Sequence, residues 1–183
     1  MKTLALIVVS GLLAANSAHS LTLGAYKVVD VYCANPNYKF SQEEQDYIDT
    51  LTGKKGSCID GKYTSPPCFE DYYVFSTPTS GLLVSKTTDL PGVSCVSTTE
   101  MTYTTSAPNK IDILIGKAQS RGSSDKPDVS LDCQSSDEGH HVYFDYKEEN
   151  GNLLLMIPGP ANAPANDCGT YIYKTAPVKD IPK

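Results

Sequence analysis

Most of the chain runs in short apolar/polar alternations separated by turn residues. Tyr26 to Cys33 (YKVVDVYC) is rich in β-branched and aromatic residues and reads as a strand. One segment has a helical period instead. Ser41 is a good N-cap, and Glu44 three residues later completes a capping box. Glu43, Glu44 and Asp46 suit the positive end of a helix dipole. Tyr47, Ile48 and Leu51 share one face and Gly53 is a stop, so the pattern predicts a short amphipathic helix over Gln42 to Thr52.

Beyond it the period returns to two. Gly53 to Pro67 reads as a loop carrying Cys58, with Cys68 just past its end. Tyr72 to Phe75 and Leu82 to Ser85 flank the turn-rich STPTSG, and Ser94 to Thr104 and Ile111 to Lys117 flank SAPN. Ile111, Ile113 and Ile115 alternate, which buries one strand face. Arg121 to Asp128 (RGSSDKPD) reads as a polar, exposed loop.

The clearest local signal is a hairpin from His141 to Ile157 around Asn150-Gly151, a pair that tolerates positive φ at both positions. Counting outward, Glu148 faces Leu153, Tyr146 faces Leu155 and Phe144 faces Ile157. Val142, Phe144 and Tyr146 therefore share an apolar face with Leu153, Leu155 and Ile157. Tyr143, Asp145 and Lys147 point the other way, beside Leu154 and Met156. A Pro/Ala/Asn loop (Gly159 to Asn166) leads to Cys168 and a last strand, Gly169 to Lys174, with a frayed tail expected to Lys183. This layout predicts a mostly β domain: one antiparallel barrel of about eight strands with one short N-terminal helix, the alternative being a β-sandwich.

The N-terminus changes the setting. Lys2, the apolar run Leu4 to Ala15, and small residues at Ala18 and Ser20 read as a secretory signal peptide over residues 1–20, cut before Leu21. The run is too short to span a bilayer, and no second long apolar run follows. Residues 21–183 then form a single exported β-rich domain, expected to be monomeric. All six cysteines lie in it: Cys33, Cys58, Cys68, Cys95, Cys133 and Cys168. An even count in an exported chain reads as three disulfides, and six cysteines allow fifteen pairings among which sequence does not choose. No C-x-x-C pair points to zinc or redox chemistry.

Without Lys2 the chain has 14 basic against 21 acidic residues, a formal charge of −7. Arg121 is its only arginine. Such a surface disfavours nucleic acid and anionic membranes. There is no Trp, but there are twelve Tyr, which serve either as strand formers or as amphipathic contact surfaces.

No catalytic or metal site, and no cofactor, is expected. His140 and His141 are neighbours, so on a strand they point to opposite faces; Asp137 or Glu138 could join only one of them. No G-x-S-x-G elbow supports a serine nucleophile, and paired cysteines leave no free thiol. Asp137/Glu138 and Glu148/Glu149 read as solvated turns. No phosphate loop, EF-hand loop or dinucleotide fingerprint occurs.

Tyr72-Tyr73-Val74, a turn-rich stretch, then Ser94-Cys95-Val96 opening a β-rich run is similar to the salivary lipocalins of ticks and other blood-feeding arthropods. Cys168 before a final strand with Tyr171 resembles their late cysteine. The match covers about a third of the chain. It lacks the Gly-x-Trp signature of typical lipocalins, and no C-terminal helix is evident. The resemblance implies a barrel with room for one small ligand.

In such a barrel the register puts Val142, Phe144, Tyr146, Leu153, Leu155 and Ile157 inside, with Met101 and Tyr103, and with Ile111, Ile113 and Ile115. Each is a candidate ligand contact or a plain core residue. The lining suits a lipid mediator or similar hydrophobic molecule. A cationic amine would need a buried carboxylate, which Asp112 or Glu100 supplies only against the assigned parity. The other function class is a secreted protein-binding module, an inhibitor or host-directed effector, meeting an extracellular protein through loops such as Arg121 to Asp128.

Overall fold

The alternations close into a ring. In the computed structural model, residues 21–62, 65–125, 133, 138–162, 164 and 166–183 are described. The expected leader, residues 1–20, lies outside them, as do Asp137 and residues 126–128.

The elements are β1 (Gly24–Cys33), α1 (Gln42–Leu51), α2 (Ser57–Asp60), β2 (Cys68–Phe75), β3 (Ser80–Leu90), β4 (Val93–Ala107), β5 (Lys110–Ser124), β6 (His141–Glu149), β7 (Asn152–Pro158) and β8 (Thr170–Val178). The eight strands pair antiparallel in chain order, and β8 returns to β1. Each strand has a partner on both sides, though only Lys110–Leu114 of β5 pairs with β6 and only Gly24–Lys27 of β1 with β2.

Local expectations hold where turn and cap chemistry are strong. Ser41 Oγ accepts the Glu44 N–H, and the Glu44 carboxylate accepts the Ser41 N–H, so the capping box is complete. Asn150 and Gly151 take φ of 53° and 78°, and Tyr146 pairs with Leu155 and Glu148 with Leu153. The β6–β7 pairing ends at Asp145 and Met156, yet Phe144 and Ile157 still belong to one interior cluster.

Three expectations need correction. The loop before Cys68 holds a second helix, α2, closed by Gly61 at φ 68°. Arg121 to Ser124 are not loop; they extend β5 and pair with Val93 to Val96 of β4. The tail is not frayed: β8 continues through Pro177 to Val178, which pairs with Ala25, and Ile181 packs on an outer cluster of Tyr72, Val84 and Val96. In each case long-range pairing or burial overrides a polar or proline-bearing local sequence.

The disulfides are Cys33–Cys168, Cys58–Cys68 and Cys95–Cys133. The first ties the end of β1 to a residue two positions before β8, the second ties α2 to β2, and the third fastens β4 to the segment between β5 and β6. No helix among the described residues is long and apolar enough to cross a membrane.

The ring's interior has two unlike halves. One end is a closed apolar floor of Leu21, Tyr26, Phe75, Met101, Ile113 and Leu153 with their neighbours. At the other end α1 lies across β1, with Ile48 and Leu51 packed on Val28 and Val31.

Candidate functional site

Every residue expected to face the interior does so, but the candidates cluster at the floor. Tyr103, Ile113, Phe144, Tyr146, Leu153 and Leu155 are buried there, and Val142 and Ile157 pack against them. Met101, Ile111 and Ile115 join the same cluster. The Tyr103 hydroxyl donates to the Thr77 carbonyl, so the fold itself uses it. Phe75 stands edge-on to both Tyr26 and Tyr103, which closes the aromatic floor.

The half beneath α1 is different. Phe69, Asp71, Tyr73, Leu83, Ser85 and Tyr173 are only half-buried. Strand parity explains how they meet. On β2, Phe69, Asp71 and Tyr73 alternate on the face that ends in the fully buried Phe75. Tyr73 pairs with Leu83 and Asp71 with Ser85, so these partners share that face.

Asp71 is the chemically distinctive group. Ser85 Oγ donates to Asp71 Oδ1 at 2.7 Å. Loss of water around the carboxyl raises its pKa above the usual aspartate value, against the smaller opposing effect of the serine hydrogen bond. No cation among the described residues offsets this desolvation.

Three tyrosines surround the carboxylate. Burial raises the Tyr73 phenol, with Asp71, Tyr173 and Tyr47 adding to it. Desolvation likewise raises Tyr173 and Tyr47, and each also feels Asp71. Tyr47 comes from α1 and is 56% exposed, so it stands at the rim. The site therefore has an acidic wall, three tyrosine phenols within electrostatic reach of it and an apolar floor below. It can hold a compact cation by charge, and an aromatic or aliphatic body by burial.

The carboxylates weighed from sequence lie elsewhere. Asp112 lies on the outer face, where its Oδ1 is 2.8 Å from His141 Nδ1. Glu100 is exposed. His141 stacks on Tyr143, and no three metal-ligating side chains gather among the described residues. The sequence reading starts this strand at Tyr72 and so passes over Asp71. Beginning it at Cys68 puts Phe69, Asp71, Tyr73 and Phe75 on one face, a signal present in CFEDYYVF.

Compared with family models, with curated proteins and with solved structures, the chain matches none.

Proposed function

We propose that the protein is a secreted carrier or scavenger that holds one small ligand inside a lipocalin-like barrel. The ligand is amphipathic: a protonated amine at Asp71 and an apolar body toward the floor. The observation that carries this reading is an interior carboxylate without a cation beside it among the described residues. Burying an unpaired charge is costly, and a cationic ligand offsets that cost. Tyr73, Tyr173 and Tyr47 lie within electrostatic reach of Asp71, and tyrosine rings attract an ammonium group. The acidic chain attracts cations at longer range. Three disulfides fit an oxidising, extracellular setting.

This reading narrows the hydrophobic ligand expected from sequence to one with a cationic end. A second reading, a protein-binding module, draws on the outer face, where Tyr143 is 63% exposed beside the half-exposed Leu114.

The oxidised mature chain would be made in the secretory pathway and studied by native mass spectrometry, with denaturing extraction of anything carried along. It would then be titrated with fatty acids, eicosanoids and aromatic or aliphatic amines, beside Asp71→Asn. Amine binding that drops at least tenfold in Asp71→Asn is the expected result. Fatty acids bound equally by both forms would replace the amine with a neutral or anionic lipid. A bare mass and no binding to any probe would favour the protein-binding module.

A further inference from the structure

Asp71 is the first member of a polar row. Asp71 of β2 pairs with Ser85 of β3, Ser85 with Ser97 of β4, and Ser97 with Ser120 of β5. Register partners share a face, so one carboxylate and three hydroxyls cross four neighbouring strands on the interior wall. Toward the floor the next row is Tyr73, Leu83, Thr99 and Ala118, and the one beyond it is Phe75, Gly81, Met101 and Ile115. The polar row is the one in which all four members are a carboxylate or a hydroxyl. A bulge between Thr99 and Met101 keeps its β4–β5 end aligned with the rest.

The far end of the row carries an unmet hydrogen bond. Ser120 Oγ is buried and has no partner among the described residues. Buried polar atoms nearly always have one, and leaving one unmade is costly. Three strand spacings separate Asp71 from Ser120, roughly 14 Å along the wall.

We infer that the Ser97–Ser120 end of the row is a second polar subsite, which recognises a hydroxyl or amide group at the opposite end of the ligand from its amine. This rests on the amine reading of Asp71. The ligand class is then a chain or ring system with an ammonium at one end, an apolar middle and a neutral hydrogen-bonding group at the other. A compact amine would fill only the Asp71 end and leave Ser120 unpaired.

The test compares octylamine, decylamine and dodecylamine with the amino alcohols of the same chain lengths, by calorimetric titration of the oxidised chain. At one length the terminal hydroxyl should tighten binding by about tenfold, the scale of one well-made hydrogen bond. Ser120→Ala and Ser97→Ala should abolish that preference and leave the plain alkylamine affinity unchanged. Ser120→Ala should also leave the unliganded protein as stable as before or more so, because it removes an unmet buried hydroxyl. Amines that bind through Asp71 with no preference for a terminal hydroxyl at any length would overturn the second subsite alone. So would a preference that survives both serine substitutions. Amines that bind as well to Asp71→Asn, or not at all, would overturn the amine reading and this inference with it.

Discussion

Asp71 and Ser85 face each other across the β2–β3 ladder on the inside of the ring, and the serine hydroxyl is 2.7 Å from the carboxylate. One hydroxyl does not replace the water that a charged carboxylate loses, so the folded protein holds the Asp71 proton more tightly than the unfolded chain does.

That difference makes stability depend on pH. A folded-state pKa raised above the unfolded value favours the fold below the ordinary aspartate range, and this contribution is lost as pH rises through the raised value. Asp71→Asn keeps the acceptor for Ser85 and removes the charge. At neutral pH it should stabilise the unliganded protein by about 1 kcal/mol, or roughly 2–4 °C in Tm for a domain of this size. The gain should shrink as pH falls toward the ordinary aspartate pKa. Thermal melts of both forms over a pH series check this. A less stable Asp71→Asn at neutral pH would mean that the carboxylate is satisfied by the fold and is no ligand anchor.

Glu44 joins the start of α1 to β8. Its carboxylate accepts the Tyr38 hydroxyl at 3.0 Å, the Tyr171 hydroxyl at 3.2 Å and the Ser41 N–H at 2.8 Å. The Ser41 contacts chiefly hold its pKa below the usual carboxylate range, and the hydrogen bond to Glu44 pushes Tyr38 up to about 12. The signs are opposite. The Glu44 contribution is present above the ordinary glutamate value and is lost as pH falls through its lowered pKa. The Tyr38 contribution is complete below the ordinary tyrosine value and is lost as pH rises toward about 12. In spectrophotometric titration Tyr38→Phe should remove one late tyrosinate step, and Glu44→Gln should move that step down and fray α1 by circular dichroism. A Tyr38 that ionises at the ordinary value would show that the contact does not persist in solution.

The disulfides should differ in worth. Cys33–Cys168, Cys95–Cys133 and Cys58–Cys68 join residues 135, 38 and 10 positions apart. On the loop-entropy account their contributions are about 5, 4 and 3 kcal/mol. Paired Cys→Ser substitutions, read by urea midpoint, should follow that order. The opposite order would place the weight on the local packing of α2, where a Cβ on Gly56 would meet Cys68 Sγ at 2.7 Å.

Gly81 sits where two strands and the floor converge. A Cβ there would lie 1.9 Å from the Val74 carbonyl oxygen and 2.8 Å from Met101 Cε. Gly81→Ala should therefore cost roughly 1–3 kcal/mol through overpacking. Gly151→Ala meets no neighbour and carries only the strain of φ 78°, so it should cost about 1 kcal/mol. Equal losses in denaturant titration would show that β3 shifts to make room.

Period and turn chemistry were legible in the sequence because their causes are local. The helix start at Ser41 and Glu44 depends on residues three apart, and the β6–β7 register depends on two turn residues that accept positive φ. From that register the apolar face of β6 and β7 follows, and it proves to be the ring's floor. The even cysteine number likewise implied full pairing. What the tertiary structure alone decided is non-local. Which cysteines meet, how far β5 and β8 extend, and where Ile181 rests depend on partners far away in the chain. The candidate site depends on them too. Asp71 reaches the interior because β2 begins at Cys68, and Asp71, Ser85, Ser97 and Ser120 line up only through three consecutive strand registers. The β4–β5 register reaches Ser97 and Ser120 only past a bulge between Thr99 and Met101 that the alternation does not show, and a shift of one residue would turn a strand's polar group to the other face.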